Sequence, residues 1–434
     1  MSNRKNGTLK TVKFPDQKDW LELIKRPDFE TESIEETVRE ILSTVKRSGD
    51  EAVLKYAKKF DRLSEDSFVF ETDGEPANLS AELKEAIDIA IKNIEKFHIS
   101  QKEVTQVVET LTGVKCWRKS LPIQTVGLYV PGGTAPLLSS LMMLAIPAKL
   151  AGCENIVVCT PPDENGNVNP AITFIAKRLE IGKIVKIGGA QAIAAMAYGT
   201  KSVRKCDKIF GPGNRFVTKA KQLVQEEGTA IDMPAGPSEV LVIADAKADP
   251  RFVAADLLSQ AEHGTDSQVV LVITDQNGPT EKLVADIKSE IESQLNALPR
   301  KEIAQKALEN SLVAIFGNDR EAMDFSNSYA PEHLIINTEN ASALAEEVKT
   351  AGSVFIGKWS CESIGDYASG TNHTLPTNGF ARSYSGVSLD SFVKKVTFQE
   401  ISQEGIENIG RAVELLAEAE GLQAHKNAVT LRLS

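Results

Sequence analysis

The feature that most restricts the fold of this 434-residue chain is a change in the period of its apolar residues. From about residue 33 to 112 they recur at three- and four-residue steps. Ile34, Val38, Ile41, Leu42 and Val45, then Leu83, Ala86, Ile87, Ala90, Ile91 and Ile94, have the spacing of core-facing helical stripes. From about 123 the pattern becomes short β-branched runs separated by helical stretches, with strands expected at 125–130, 155–159, 183–187, 208–210 and 239–243. The alternation resumes with strands at 268–273, 312–316, 333–336 and 353–356, and with helices over 282–295 and 342–350. Such alternation predicts βαβ units and parallel sheets covered on both faces. The expected class is α/β with two Rossmann-like parallel-sheet domains, because a chain of this length exceeds a single core.

Glycine- and proline-rich hinges near 131–133 and at Pro234-Ala-Gly-Pro237 bracket the first sheet. We read 129–237 as a domain inserted into a main domain formed by 26–128 and 238–381. Residues 1–25 are polar with isolated aromatics and read as an N-terminal arm that must dock to be ordered. Residues 382–434 read as a small helical tail domain, with an amphipathic helix from about 404 to 420 broken at Gly421.

Four of the five histidines lie in short, polar, glycine-punctuated segments: Gln260-Ala-Glu-His263, Pro331-Glu-His333, Gly365-Asp-Tyr-Ala-Ser-Gly-Thr-Asn-His373 and Glu420-Gly-Leu-Gln-Ala-His425. Imidazole is the commonest metal ligand and the usual proton carrier near neutral pH, so a metal-dependent catalyst is expected. The net charge of −11, with dispersed basic residues, argues against nucleic acid or an acidic membrane as partner and favours a small-molecule substrate. No apolar run approaches the roughly 18 residues of a membrane span and no secretory signal core is present, so a cytoplasmic location is expected. Five cysteines without C-x-x-C spacing fit reduced thiols.

Gln260 and His263 are three residues apart near a helix end, where both could reach one ion or simply form a polar helix terminus. Asp366, in a glycine-flanked segment, could be a ligand or a turn-former. His and carboxylate ligands of this sort suit Zn²⁺, although a carboxamide also admits Mn²⁺ or Co²⁺. Glu332 and His333 open a strand, where neighbours normally face opposite sides. Both serve one site only if the backbone is irregular, as Pro331 allows, and together they would supply two general bases. Glycine-rich segments at Tyr129-Val-Pro-Gly-Gly133, Gly188-Gly-Ala-Gln191 and Gly211-Pro-Gly-Asn214 end predicted strands, where open α/β sheets bind ligands. None carries the G-x-G-x-x-G dinucleotide fingerprint, so pattern alone does not indicate NAD.

Eight motifs in order resemble the histidinol dehydrogenase family. They are Gly127-Leu-Tyr-Val-Pro-Gly-Gly-Thr-Ala-Pro136, Gly188-Gly-Ala-Gln-Ala-Ile193, Gly211-Pro-Gly-Asn-Arg215, Ala235-Gly-Pro-Ser-Glu239, Gln260-Ala-Glu-His-Gly264, Ala330-Pro-Glu-His-Leu334, the 365–376 segment and Glu420-Gly-Leu-Gln-Ala-His425. The resemblance runs from about 30 to 425. It implies an aldehyde dehydrogenase-like fold and a homodimer with shared active sites. It also implies four-electron oxidation of L-histidinol through the aldehyde to L-histidine with two NAD⁺, the last steps of histidine biosynthesis. One Zn²⁺ per subunit is implied on Gln260, His263, Asp366 and His425. Glu332 and His333 would be catalytic, Tyr129, Gln191 and Asn214 would contact NAD⁺, and Ser238, His373 and Glu420 would join the zinc ligands and His333 around the substrate. The tail carrying Glu420 and His425 would serve the partner's site. A paralogue acting on another small terminal alcohol, or a zinc hydrolase, are the competing readings. The latter leaves the three glycine-rich strand ends without a purpose.

Overall fold

The chain is described by a computed structural model over residues 9–26, 32–74, 79–132, 137–234, 236–277 and 279–434. Gly133-Thr-Ala-Pro136 and Ala235, parts of two family motifs, lie outside these residues. The first six-stranded sheet runs, from edge to edge, Val69–Glu71, Lys183–Val185, Asn155–Cys159, Thr125–Tyr129, Lys208–Phe210 and Ala230–Ile231. All pairs are parallel except the edge pair made by Val69–Glu71. The second six-stranded sheet runs Lys10–Lys13, Leu312–Phe316, Gln268–Thr274, Glu239–Ala244, His333–Asn337 and Ser353–Ile356, and is parallel throughout. The central strands of both sheets are buried and built from continuous apolar runs, as parallel strands covered on both faces require.

The expected domain division does not follow the packing. Val38, Ile41, Val45 and Val53, from helices Glu32–Ser48 and Asp50–Phe60, share a core with Ile193, Ala220 and Ile209 of the first sheet's layer. Helix Ala81–Ile99 packs on the other face of that sheet, with Ile87 and Ile94 against Leu128 and Leu144. Residues 32–128 therefore belong with 129–237, and the boundary at 129 falls at the end of the first sheet's central strand. The reason is physical: a six-stranded sheet needs apolar cover on both faces, and the helices of 32–99 complete the cover begun by the helices between 138 and 226.

The N-terminal arm is a structural part of the second sheet. Lys10–Lys13 adds a parallel edge strand to Leu312–Phe316, and Trp20 is buried edge-on against Phe316 and Phe325. A third sheet, antiparallel, escaped the sequence reading. Val114–Pro122 pairs with both Val107–Leu111 and Val393–Ile401, joining the first domain to the tail. Helix Gln403–Ala419 ends at Gly421 in the left-handed region, φ 73°, and a second helix, Gln423–Leu433, packs back on it. Among the described residues no helix is long and apolar enough to cross a membrane.

Chain order reverses in each sheet at a central pair, and such switch points open crevices at the carboxyl ends of parallel strands. In the first sheet this end is used: Tyr129, Gly188 and Gly211 all sit there. In the second sheet the equivalent crevice is plugged by the fully buried Asp245, which accepts from Lys247 N, Asn277 Nδ2 and Glu339 N. Its amino ends face the first domain instead.

Candidate active site

The cleft between the carboxyl edge of the first sheet and the amino edge of the second has a volume of about 610 Å³ and is lined by Asn214, Ser238, His263, Glu332 and His373, among others. That size suits a small ligand. Helix Pro250–Ala261 follows strand Glu239–Ala244 and runs back antiparallel to it, so its C-terminal end delivers Gln260 and His263 to the amino edge. The partial negative charge of a helix C-terminus favours a cation at that point.

Glu332 and His333 do reach one place, because the backbone before them is irregular. Ala330 is left-handed, φ 55°, and the regular strand begins only at His333. Glu332 Oε2 accepts from Glu239 N at 2.8 Å and from Gln260 Nε2 at 3.2 Å. His333 Nδ1 lies 3.3 Å from the Glu239 carbonyl oxygen and 3.7 Å from Glu332 Oε2, and its Nε2 lies 3.2 Å from Asp366 Oδ1. The carbonyl can only accept, so Nδ1 carries a proton.

Burial pushes the Glu332 carboxyl up to about 8, with His333 pulling the other way. Burial also works against the His333 imidazolium, but the carboxylates of Glu362, Glu332 and Asp366 outweigh it and raise that ring to about 10. Burial drives Glu362 well above the usual carboxylate range. Asp366 stays low because its contact with His333 overcomes burial.

Glu362 is the site residue that sequence reasoning missed. It is 1% exposed, and one oxygen from it, one from Asp366 and a His263 ring nitrogen lie within 4.8 Å of one another. The signal was present as a four-residue spacing: Glu362 and Asp366 share a face of the short helix Glu362–Tyr367, which the sequence had suggested was a loop. Asp256, four residues before Gln260, adds a further buried carboxyl, raised to about 7 by burial alone. Glu362 Oε2 and Gln260 Oε1 are buried without a hydrogen-bond partner. Such orphaned acceptors beside several crowded carboxyl groups fit a divalent cation, which would satisfy both and relieve the repulsion. Gln260, His263 and Asp366 are thus brought together.

His425 and Glu420 are not. Both are exposed on the tail helices, and neither lines the cleft. His373 does line it, with Nδ1 2.9 Å from the Asp366 carbonyl oxygen and Nε2 3.1 Å from Ser140 Oγ. His98 is a fully buried core residue beside Gln101 and Asn372.

Across the cleft, the glycine-rich strand ends interlock. Tyr129 is buried, and its hydroxyl accepts from Gly189 N at 3.1 Å. Gln191, also buried, donates to Asp61 Oδ2 at 3.0 Å, which also accepts from Gly188 N at 3.1 Å. Asn214 is exposed at the cleft, and its side-chain oxygen caps helix Arg215–Glu226 by accepting from Phe216 N and Val217 N. The start of helix Gly189–Tyr198 is thus capped from outside, by the Asp61 carboxylate on Gly188 N and the Tyr129 hydroxyl on Gly189 N. Gly211 has φ 121°, and a Cβ there would overlap the Tyr129 carbonyl oxygen. Gly211→Ala is expected to cost about 1–3 kcal/mol, seen as a lowered midpoint in thermal melting.

A family model described as histidinol dehydrogenase matches residues 24–433. The chain belongs to the histidinol dehydrogenase family. It is an oxidoreductase. The histidinol dehydrogenase of Bacteroides thetaiotaomicron is 57% identical over 98% of this chain and 99% of its own length. The chloroplastic histidinol dehydrogenase of Arabidopsis thaliana is 52% identical over 95% of this chain and 88% of its own. The crystal structure of histidinol dehydrogenase from Elizabethkingia anophelis superposes with a TM-score of 0.94 at 53% identity, covering 98% of each chain.

Proposed function

We propose that the chain oxidises L-histidinol through L-histidinaldehyde to L-histidine with two NAD⁺, in the cytoplasm, as a zinc-dependent homodimer. The observation that carries this reading is the group His263, Glu362 and Asp366, with the orphaned Gln260 oxygen, beside the Glu332–His333 pair and opposite the glycine-rich strand ends. When bound, NAD⁺ accepts a hydride in each oxidation, and zinc on Gln260, His263, Asp366 and the partner subunit's His425 orients the substrate's nitrogens. With the Asp366 and Glu362 carboxylates that hold the His333 ring charged committed to a bound cation, the ring would be neutral with Nε2 free, and it takes the hydroxyl proton there as the carbinol hydride leaves, its Nδ1–H held by the Glu239 carbonyl. Glu332 removes a proton from the water that adds to the aldehyde, and His333 then takes a hydroxyl proton of the resulting hydrate in the second hydride transfer. Each oxidation releases one hydride and one proton, and one water is consumed. Tyr129, Gln191 and Asn214 hold NAD⁺, while Ser238, His373 and the partner subunit's Glu420 contact substrate.

A spectrophotometric assay of NADH formation with histidinol against a panel of amino alcohols tests the substrate. Preference for another alcohol would retire the pathway assignment and leave the chemistry standing.

The exposure of Glu420 and His425, away from their own chain's cleft, supports delivery to a partner. Mixed His263→Ala and His425→Ala variants, unfolded and refolded together, should recover activity in proportion to the heterodimer fraction. If the tail crosses over, one site of each heterodimer carries both lesions and the other carries neither. If it serves its own chain, every site keeps one lesion and the mixture stays inactive.

A further inference from the structure

We propose that Arg26, immediately after the N-terminal arm, is a positioning residue for the catalytic pair and acts through Glu239. This rests on the reading of Glu332 and His333 given above. The starting point is a single peptide. Glu239 opens the second sheet's strand Glu239–Ala244, and its backbone holds both catalytic side chains: the N–H donates to Glu332 Oε2 and the carbonyl oxygen faces His333 Nδ1. Where that peptide lies sets the aim of Glu332 and the tautomer of His333.

The Glu239 side chain anchors the peptide. It is 2% exposed, and the Arg26 guanidinium grips it with both arms of its fork, Nε on Oε1 and Nη2 on Oε2 at 2.8 Å. Asn378 N donates to Oε1 at 2.8 Å. Arg26 is itself braced. Its Nη2 donates to the Tyr329 carbonyl oxygen at 2.9 Å, and the guanidinium lies 4.2 Å from the centre of the Tyr329 ring. The Tyr329 hydroxyl donates to Gln268 Oε1 at 2.8 Å, and Gln268 Nε2 returns to the Lys25 carbonyl oxygen at 3.3 Å. The circuit thus closes on the residue before Arg26. A buried carboxylate that loses its bidentate guanidinium partner loses most of its charge compensation, and its backbone shifts to re-solvate it. The planar fork cannot be reproduced by an ammonium group.

In the full-length zinc-loaded enzyme, Arg26→Ala is expected to lower kcat for both oxidations on the order of 10- to 100-fold, as misplacement of reacting groups does. KM for histidinol should stay within about twofold, because the substrate's own contacts are untouched. Zinc content should not change, and millimolar guanidinium should restore part of kcat, which a general loss of stability would not allow. Arg26→Lys, which keeps the charge and loses the fork, should show the same kcat loss in smaller degree at an unchanged melting temperature, and it decides the matter if the alanine variant does not fold. Wild-type kcat in Arg26→Lys, or a loss in Arg26→Ala that guanidinium leaves untouched and that follows zinc loss, would overturn the proposal. Glu332→Gln and His333→Asn are measured alongside. If they keep activity, the catalytic reading itself fails, whereas their inactivity beside unimpaired Arg26 variants overturns only the role of Arg26.

Discussion

Glu332→Gln should slow oxidation of the aldehyde far more than its formation, with a loss on the order of 10²–10⁴-fold in the second half-reaction. The substitution is nearly isosteric. The amide oxygen of a glutamine can occupy the position of Oε2 and go on accepting from Glu239 N and Gln260 Nε2, so the surrounding geometry is kept. What changes is the other atom, which becomes an NH₂ group and can no longer take a proton from water. Hydration of the aldehyde needs that proton removed, whereas the first hydride transfer needs only a base for the alcohol, which His333 supplies. Single-turnover absorbance traces started from histidinol and from histidinaldehyde separate the two steps. Equal losses in both would show that Glu332 only positions its neighbour.

His263→Asn should remove the metal and the activity together while the fold survives. His263 is exposed at the cleft mouth and follows a helix end, so its ring contributes little to the core. Without a cation, Gln260 Oε1 and Glu362 Oε2 remain buried and unpaired, a cost of about 1–3 kcal/mol for each group. Metal binding to the native state relieves that cost, so addition of Zn²⁺ to the stripped wild-type protein should raise its melting temperature. Addition to the His263→Asn variant should raise it much less. Elemental analysis paired with the NADH assay checks the coupling, and undiminished turnover by a preparation shown to be metal-free would end the assignment.

Most of the parallel strands were legible because each is a short apolar run bounded by glycine, proline or a helix, whereas the parallel edge strands Lys10–Lys13 and Ala230–Ile231 were too polar or too short to be read. The antiparallel strands Val107–Leu111, Val114–Pro122 and Val393–Ile401 were not legible either. The first is exposed throughout and the others carry charged residues among their apolar ones, so no buried face marks them in the sequence. Similarly, the helices of 32–99 announced themselves by period, but nothing in an apolar stripe says which sheet it covers.

By itself, the sequence determined the element types over most of the chain, the family, and a set of candidate site residues, since imidazoles and carboxylates in glycine-punctuated segments have few structural uses. Only the tertiary structure decided which of them meet. It turned the second sheet so that its amino edge, not its carboxyl edge, faces the cleft, and it placed Glu362 beside His263 across about a hundred residues of chain. It also left His425 on the outer surface and tied Arg26, just after the N-terminal arm, to the Glu239 peptide that holds Glu332 and His333. Local propensity acts over a few residues and sets the elements. Long-range proximity is set by how apolar faces are shared among them, which the pattern along a single chain does not encode.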